Sequence, residues 1–130
     1  MPVPPVIVET ADYPSAVTIP DDAEAVVATL AGVTSRYPGQ TAYPHGFVNM
    51  TPDADTTAVT LNIRRGTLTG TIVGTITATL PATPVEQFLE VFGVDPATEV
   101  ANQTYVLTVT ATDASSTSTF GTIVLDCPMF

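Results

Sequence analysis

Few residues in this chain are able to carry chemistry: one histidine (His45), one cysteine (Cys127), three arginines (Arg36, Arg64, Arg65) and 13 carboxylates. A serine hydrolase needs a histidine poised between a nucleophile and an orienting acid. His45 stands between Pro44 and Gly46, and the serines fall in turn-like stretches without a strand–Gly-x-Ser-x-Gly–helix context. It reads as an ordinary loop residue. Zinc usually draws on several His or Cys ligands, and one of each, far apart, does not make a site. Calcium takes about six to eight oxygens. Asp21-Asp22-Ala23-Glu24 and Asp53-Ala54-Asp55 are the two clusters to consider. Neither has the spacing and glycine of an EF-hand loop, and both read as solvated acidic turns.

Other signatures fail on geometry. Glu86 and Glu90 on one strand would lie ~13 Å apart at ~3.3 Å per residue, too far for a glycosidase acid pair. There is no tryptophan to stack on a sugar. Gly66, Gly70 and Gly74 fall in a hairpin and not before a helix, so they do not form a phosphate loop. Asn49-Met50-Thr51 and Asn102-Gln103-Thr104 match the glycosylation triplet, which a threonine-rich chain meets by chance. The expectation is a non-enzymatic protein with no catalytic, cofactor-binding or metal-ligating residue.

Composition narrows the partners. The net charge is −10 and there is no lysine. Nucleic-acid binding draws most of its affinity from Lys and Arg against phosphate, which three arginines do not supply. The same shortage argues against anionic membranes. A charged partner would be basic. No apolar run approaches the ~20 residues of a membrane span, and the N-terminus lacks the basic and apolar regions of a signal peptide. A lone Cys127 permits no intrachain disulfide and reads as a small, at least half-buried hydrophobe; an intermolecular disulfide is the alternative. Charged residues are 12% of the chain, about half the usual share. Either partner subunits cover part of the surface, or Thr and Ser replace charge on it.

The elements that position these residues are strands. Thr57 to Leu80 alternates apolar residues with Thr and Asn, up to Arg64 and again from Thr71, with Arg65 to Gly70 as the turn. That period of two predicts a β-hairpin. Arg64 continues the polar Thr60-Asn62 face, whereas Arg65 falls on the Leu61-Ile63 side. Arg65 then meets an acid across a subunit contact, or an internal partner at the hairpin tip. Short strands are also predicted at Val6-Ile7-Val8, Ala16 to Ile19, Ala25 to Leu30, Phe47 to Met50, Thr104 to Ala111 and Thr117 to Leu125. Val85 to Val94 can be read as a helix through Val85, Phe88, Leu89 and Phe92. The alternation of Val85, Gln87, Leu89 and Val91 favours a strand. Residues 1–14, with Pro2, Pro4 and Pro5, read as an extended arm ahead of a domain at 15–130. Eight to nine strands with frequent turn signals predict an all-β antiparallel sandwich or jelly roll.

The run Val59 to Gly74, with Thr104-Tyr105-Val106-Leu107-Thr108-Val109 and Ser116 to Phe120, resembles small structural proteins of tailed bacteriophages. The resemblance spans roughly the C-terminal half, and Glu24 to Ser35 fits it too. It implies a tumour-necrosis-factor-like jelly roll that trimerises. It further implies a capsid decoration (cement) protein in the virion, on the outer capsid surface, made in the host cytoplasm, with the major capsid protein as partner. The alternative is a receptor- or glycan-binding head or tail fibre module, with Tyr37, Tyr43 and His45 as its contact loop. In the decoration reading, Val3, Val6, Ile7 and Val8 of the arm contact the capsid. Arg64, Arg65, Met129 and Phe130 lie at the subunit interface.

Overall fold

A computed structural model describes residues 7–12, 16–18, 23–35, 39–81, 85–96, 100–113 and 117–130. They contain no helix, and therefore none long and apolar enough to cross a membrane. The strands are β1 (Ile7–Asp12), β2 (Ala16–Thr18), β3 (Glu24–Val33), β4 (His45–Thr51), β5 (Ala58–Arg65), β6 (Ile72–Thr79), β7 (Gln87–Phe92), β8 (Gln103–Thr112) and β9 (Thr117–Cys127). They form two antiparallel sheets. One has the order β1-β9-β4-β7, with β2 also on β9; the other is β3-β8-β5-β6.

The two-residue period sorts side chains between a shared core and two outer faces. Val59, Leu61 and Ile63 of β5 point inward with Tyr105, Leu107, Val109 and Ala111 of β8. Val48 and Met50 of β4, Leu89 and Val91 of β7, and Phe120, Ile123 and Leu125 of β9 meet them. Each such aliphatic burial contributes roughly 1.5–3 kcal/mol against the entropy of ordering the chain. In β9 the alternation slips. Val48 pairs with Ile123 but Met50 with Phe120. The extra β9 residue is a bulge that keeps Phe120 and Ile123 both in the core.

The β5–β6 hairpin forms where the alternation predicts it. Gly70 N–H donates to the Thr67 carbonyl at 2.9 Å, and Gly66 supplies the left-handed backbone (φ 88°) after Arg65. A register shift after Ile63 leaves Val73 outside the ladder. Its carbonyl instead accepts from Val94 N–H at 3.0 Å. There the edges of the two sheets nearly touch: a Cβ on Gly74 would lie 2.9 Å from Gly93 Cα and from the Phe92 carbonyl oxygen. Glycine at both positions lets the two edges close on each other.

The segment Val85 to Val94, ambiguous by period, contains a strand, β7. The predicted arm is partly sheet: Ile7–Asp12 pairs with Asp126-side residues of β9 in the same chain, from Ile7 opposite Cys127 to Asp12 opposite Thr122. Val3, Val6 and the arm boundary at residue 14 lie outside the described residues.

Candidate functional site

The two outer faces differ in chemistry. Across β8, β5 and β6 the register aligns Thr110, Thr60 and Thr77, and below them Thr108, Asn62 and Thr75. Thr60 and Thr77 share a hydroxyl hydrogen bond of 2.9 Å. These two rows are polar, while Val26 and Ile72 are exposed apolar residues on the same face.

The outer face of β4, β7 and β9 is aromatic. With Leu89 and Val91 inward, edge strand β7 turns Phe88, Glu90 and Phe92 outward, leaving Phe88 63% and Phe92 71% exposed. Register places Asn49 of β4 beside Phe88, Phe47 beside Glu90 and His45 beside Phe92. On the other flank of β4, Val124 and Asp126 of β9 stand opposite Phe47 and His45. The Phe47 and Phe88 rings pair diagonally at 6.5 Å between centroids. Beyond Phe92 the apolar surface continues through exposed Val94, Tyr43 and Phe130, the last two meeting edge to face at 5.8 Å. Exposed aromatics grouped in this way are uncommon on a surface that meets only water.

His45 holds the centre of the charged row on this face. Its Nδ1 is 3.1 Å from Asp126 Oδ1 and its Nε2 is 3.3 Å from Glu90 Oε2. A neutral imidazole has one N–H and satisfies one carboxylate; the protonated ring donates to both. Asp126 of β9 stands directly opposite His45 and Glu90 of β7 lies diagonally across from it, so the carboxylates approach the ring from opposite flanks. Among the described residues no group of three or more His, Cys, Asp or Glu is placed to hold a metal. Asp53 closes its own turn, its Oδ1 accepting from the backbone N–H of Asp55 (3.0 Å) and Thr56 (2.9 Å) and from the Thr56 hydroxyl. Asp21 and Asp22 lie outside the described residues.

Both hairpin arginines have partners within the chain. Arg64 donates from Nε and Nη2 to the two oxygens of Glu24, 2.7 Å each, and from Nη1 to the Gly70 carbonyl. Asn62 Nδ2 and the Thr108 hydroxyl donate to the same carboxylate. The Arg64 guanidinium, with help from Thr108 and Asn62, holds Glu24 down to about 2 despite its partial burial. Arg65 donates from Nε to Asp95 Oδ2 at 2.9 Å and from Nη2 to Oδ1. Asp95 is fully buried and also accepts from the Tyr105 hydroxyl at 2.6 Å. Burial, and then this bond to Asp95, pushes the Tyr105 phenol upward. For Arg65 the internal partner is therefore the one present, and neither guanidinium is a bare charge awaiting a neighbouring subunit.

The C-terminal pair divides. Met129 is 2% exposed in the core of its own chain, bridged to Ala42, so its side chain is not open to a neighbour. Phe130 is exposed. Cys127 is buried, and burial pushes its thiol up to about 12. Of the arm residues, Ile7 and Val8 pair with Cys127 and Asp126 of the same chain.

Pro44 and Gly46 look like turn chemistry, so His45 reads from the sequence as a loop residue, whereas it opens strand β4. The alternation His45-Phe47-Asn49 was the available signal. Glu24 and Asp95 were not legible as partners because Glu24 is brought in from β3 and Asp95 from the segment that follows β7. The inward parity of Arg65 was the one hint that a buried acid must exist. No family model matches the chain, no curated protein matches it in sequence, and no solved structure matches it in fold.

Proposed function

We propose that this protein is a non-enzymatic virion structural protein: a decoration (cement) protein that sits as a homotrimer on the outer surface of a bacteriophage head. The observation that carries the assembly reading is the exposed Phe88 and Phe92 on edge strand β7, backed by Phe47. This is the face a neighbouring copy covers. Identical subunits meeting through such unlike patches close into a ring when the rotation allows.

Strand order supports a jelly roll. Counting β1 and β2 as one strand along β9, the antiparallel partners nest: β5 with β6, β4 with β7, β3 with β8, and β1/β2 with β9. Winding one long hairpin into two facing sheets yields that nesting. The low charge content fits a chain whose surface is partly covered by neighbours. The net charge of −10, with Arg64 and Arg65 neutralised internally, suits a basic patch on the major capsid protein. Binding only the assembled lattice stabilises that lattice by mass action.

The test is to mix the purified protein with empty, undecorated heads. Saturable binding that raises the temperature at which heads rupture is the expected result. Failure to bind heads contradicts decoration, and binding to host cells without binding to heads favours a fibre module.

A further inference from the structure

We infer that self-association through the aromatic face takes up protons at His45, so that the assembly tightens as pH falls through the imidazole range. This inference rests on the assembly reading of that face.

The geometry carries it. Glu90 from β7 and Asp126 from β9 flank His45 of β4, at 3.3 and 3.1 Å. Phe92 covers the imidazole at 4.8 Å between centroids. On its own strand the outward neighbour of His45 is Phe47, and β1 sets Val8 in register with Asp126; neither adds a charge. A body seated on Phe88 and Phe92 shuts this row away from water. With neutral imidazole the row carries two negative charges into the contact. With imidazolium it carries one, and both carboxylates receive an N–H. Removing charge from water is costly unless it is paired, so the sealed state prefers the protonated ring.

The occupant is a second copy of this chain. Phe88 and Phe92 together expose on the order of 300 Å² of apolar surface, a sizeable part of the ~800 Å² that each partner buries in a standard interface. Val94, Tyr43 and Phe130 extend it. A basic partner would bring its own cations to Glu90 and Asp126 and leave His45 no role. A second copy has no lysine, Arg64 and Arg65 are engaged elsewhere, and Arg36 lies outside the described residues. Among the described residues, the imidazolium is then the only cation this face can provide. A histidine changes charge between about pH 5 and 8, where free carboxylates stay ionised.

Sedimentation equilibrium of the full chain at about pH 6 and about pH 8, at fixed ionic strength, tests this. The expected result is an association constant at least about tenfold larger at the lower pH, one proton being taken up per copy. His45→Gln should flatten the dependence. Glu90→Gln, at a half-exposed edge position, should tighten association at the higher pH and narrow the gap. Association of equal strength at both pH values, or an unchanged gap in either variant, overturns the proton linkage and leaves the assembly reading standing. Absence of association at every pH by a folded chain overturns both. If His45→Gln fails to fold, Glu90→Gln alone decides.

Discussion

Phe92 lies over the imidazole of His45 with ring centroids 4.8 Å apart, and yet its own side is 71% open to solvent. A large aromatic held in place on one side and bare on the other is what an interface residue needs. Little side-chain entropy remains to be lost when a partner arrives. The relationship exists because β7 pairs with β4 in a register that sets Phe92 opposite His45.

Phe88→Thr with Phe92→Thr should abolish self-association while leaving the fold intact. Both side chains point out of the sheet, and threonine suits a strand. Thermal stability of the isolated chain should move by no more than about 0.5 kcal/mol. Sedimentation velocity and circular dichroism melts, run side by side, check the two halves of this statement.

Arg65→Gln should destabilise the fold strongly. It strips the guanidinium from a fully buried carboxylate, and the Tyr105 hydroxyl that also donates to it carries no charge. Breaking one side of such a pair costs about 3–5 kcal/mol. Urea titration should show a lower midpoint with unchanged slope. Arg65→Lys should recover part of the loss, because it restores charge but not the two-pronged geometry.

Acid should cost stability through Glu24. Its carboxyl is held down to about 2, from an ordinary value of 4.5, by Arg64. A group whose folded pKa is lowered stabilises the fold above its unfolded value, and that contribution fades as pH falls from 4.5 toward about 2. Stability measured from pH 6 downward should fall over this window, and Glu24→Gln should be less stable at pH 6 but fall less on acidification.

Gly74→Val should open the sandwich at its β6–β7 edge. Even a single carbon there meets backbone of Gly93 and Phe92 at 2.9 Å, and backbone does not rotate away. A loss of about 1–3 kcal/mol is expected from overpacking. Faster hydrogen exchange at Val94 N–H, which donates to the Val73 carbonyl, should accompany it.

The all-β class was legible because half-buried strands print their period of two on the sequence. Thr57 to Leu80 shows this with little interruption, and even Val85 to Val94 yields once Leu89 and Val91 are weighed against Phe88 and Phe92. What was not legible depends on pairing between distant strands. Arg65 announces by parity that it heads inward, but nothing local says that Asp95 receives it. Met129 looks like an exposed apolar tail until Ala42 is found beside it. His45 looks like a turn residue because Pro44 and Gly46 flank it, and only the register with Glu90 and Asp126 gives it company. Gly46 itself is there for packing: a Cβ would strike Leu107 Cδ1 at 2.7 Å.

In the proposed assembly, the Phe88–Phe92 face brings copies of this chain together as a trimer. Sedimentation equilibrium at micromolar concentration and about pH 6, on the acidic side of the proposed proton uptake, measures it directly. A species of three times the 13.5 kDa chain mass is expected. A folded monomer at that concentration and pH would contradict it.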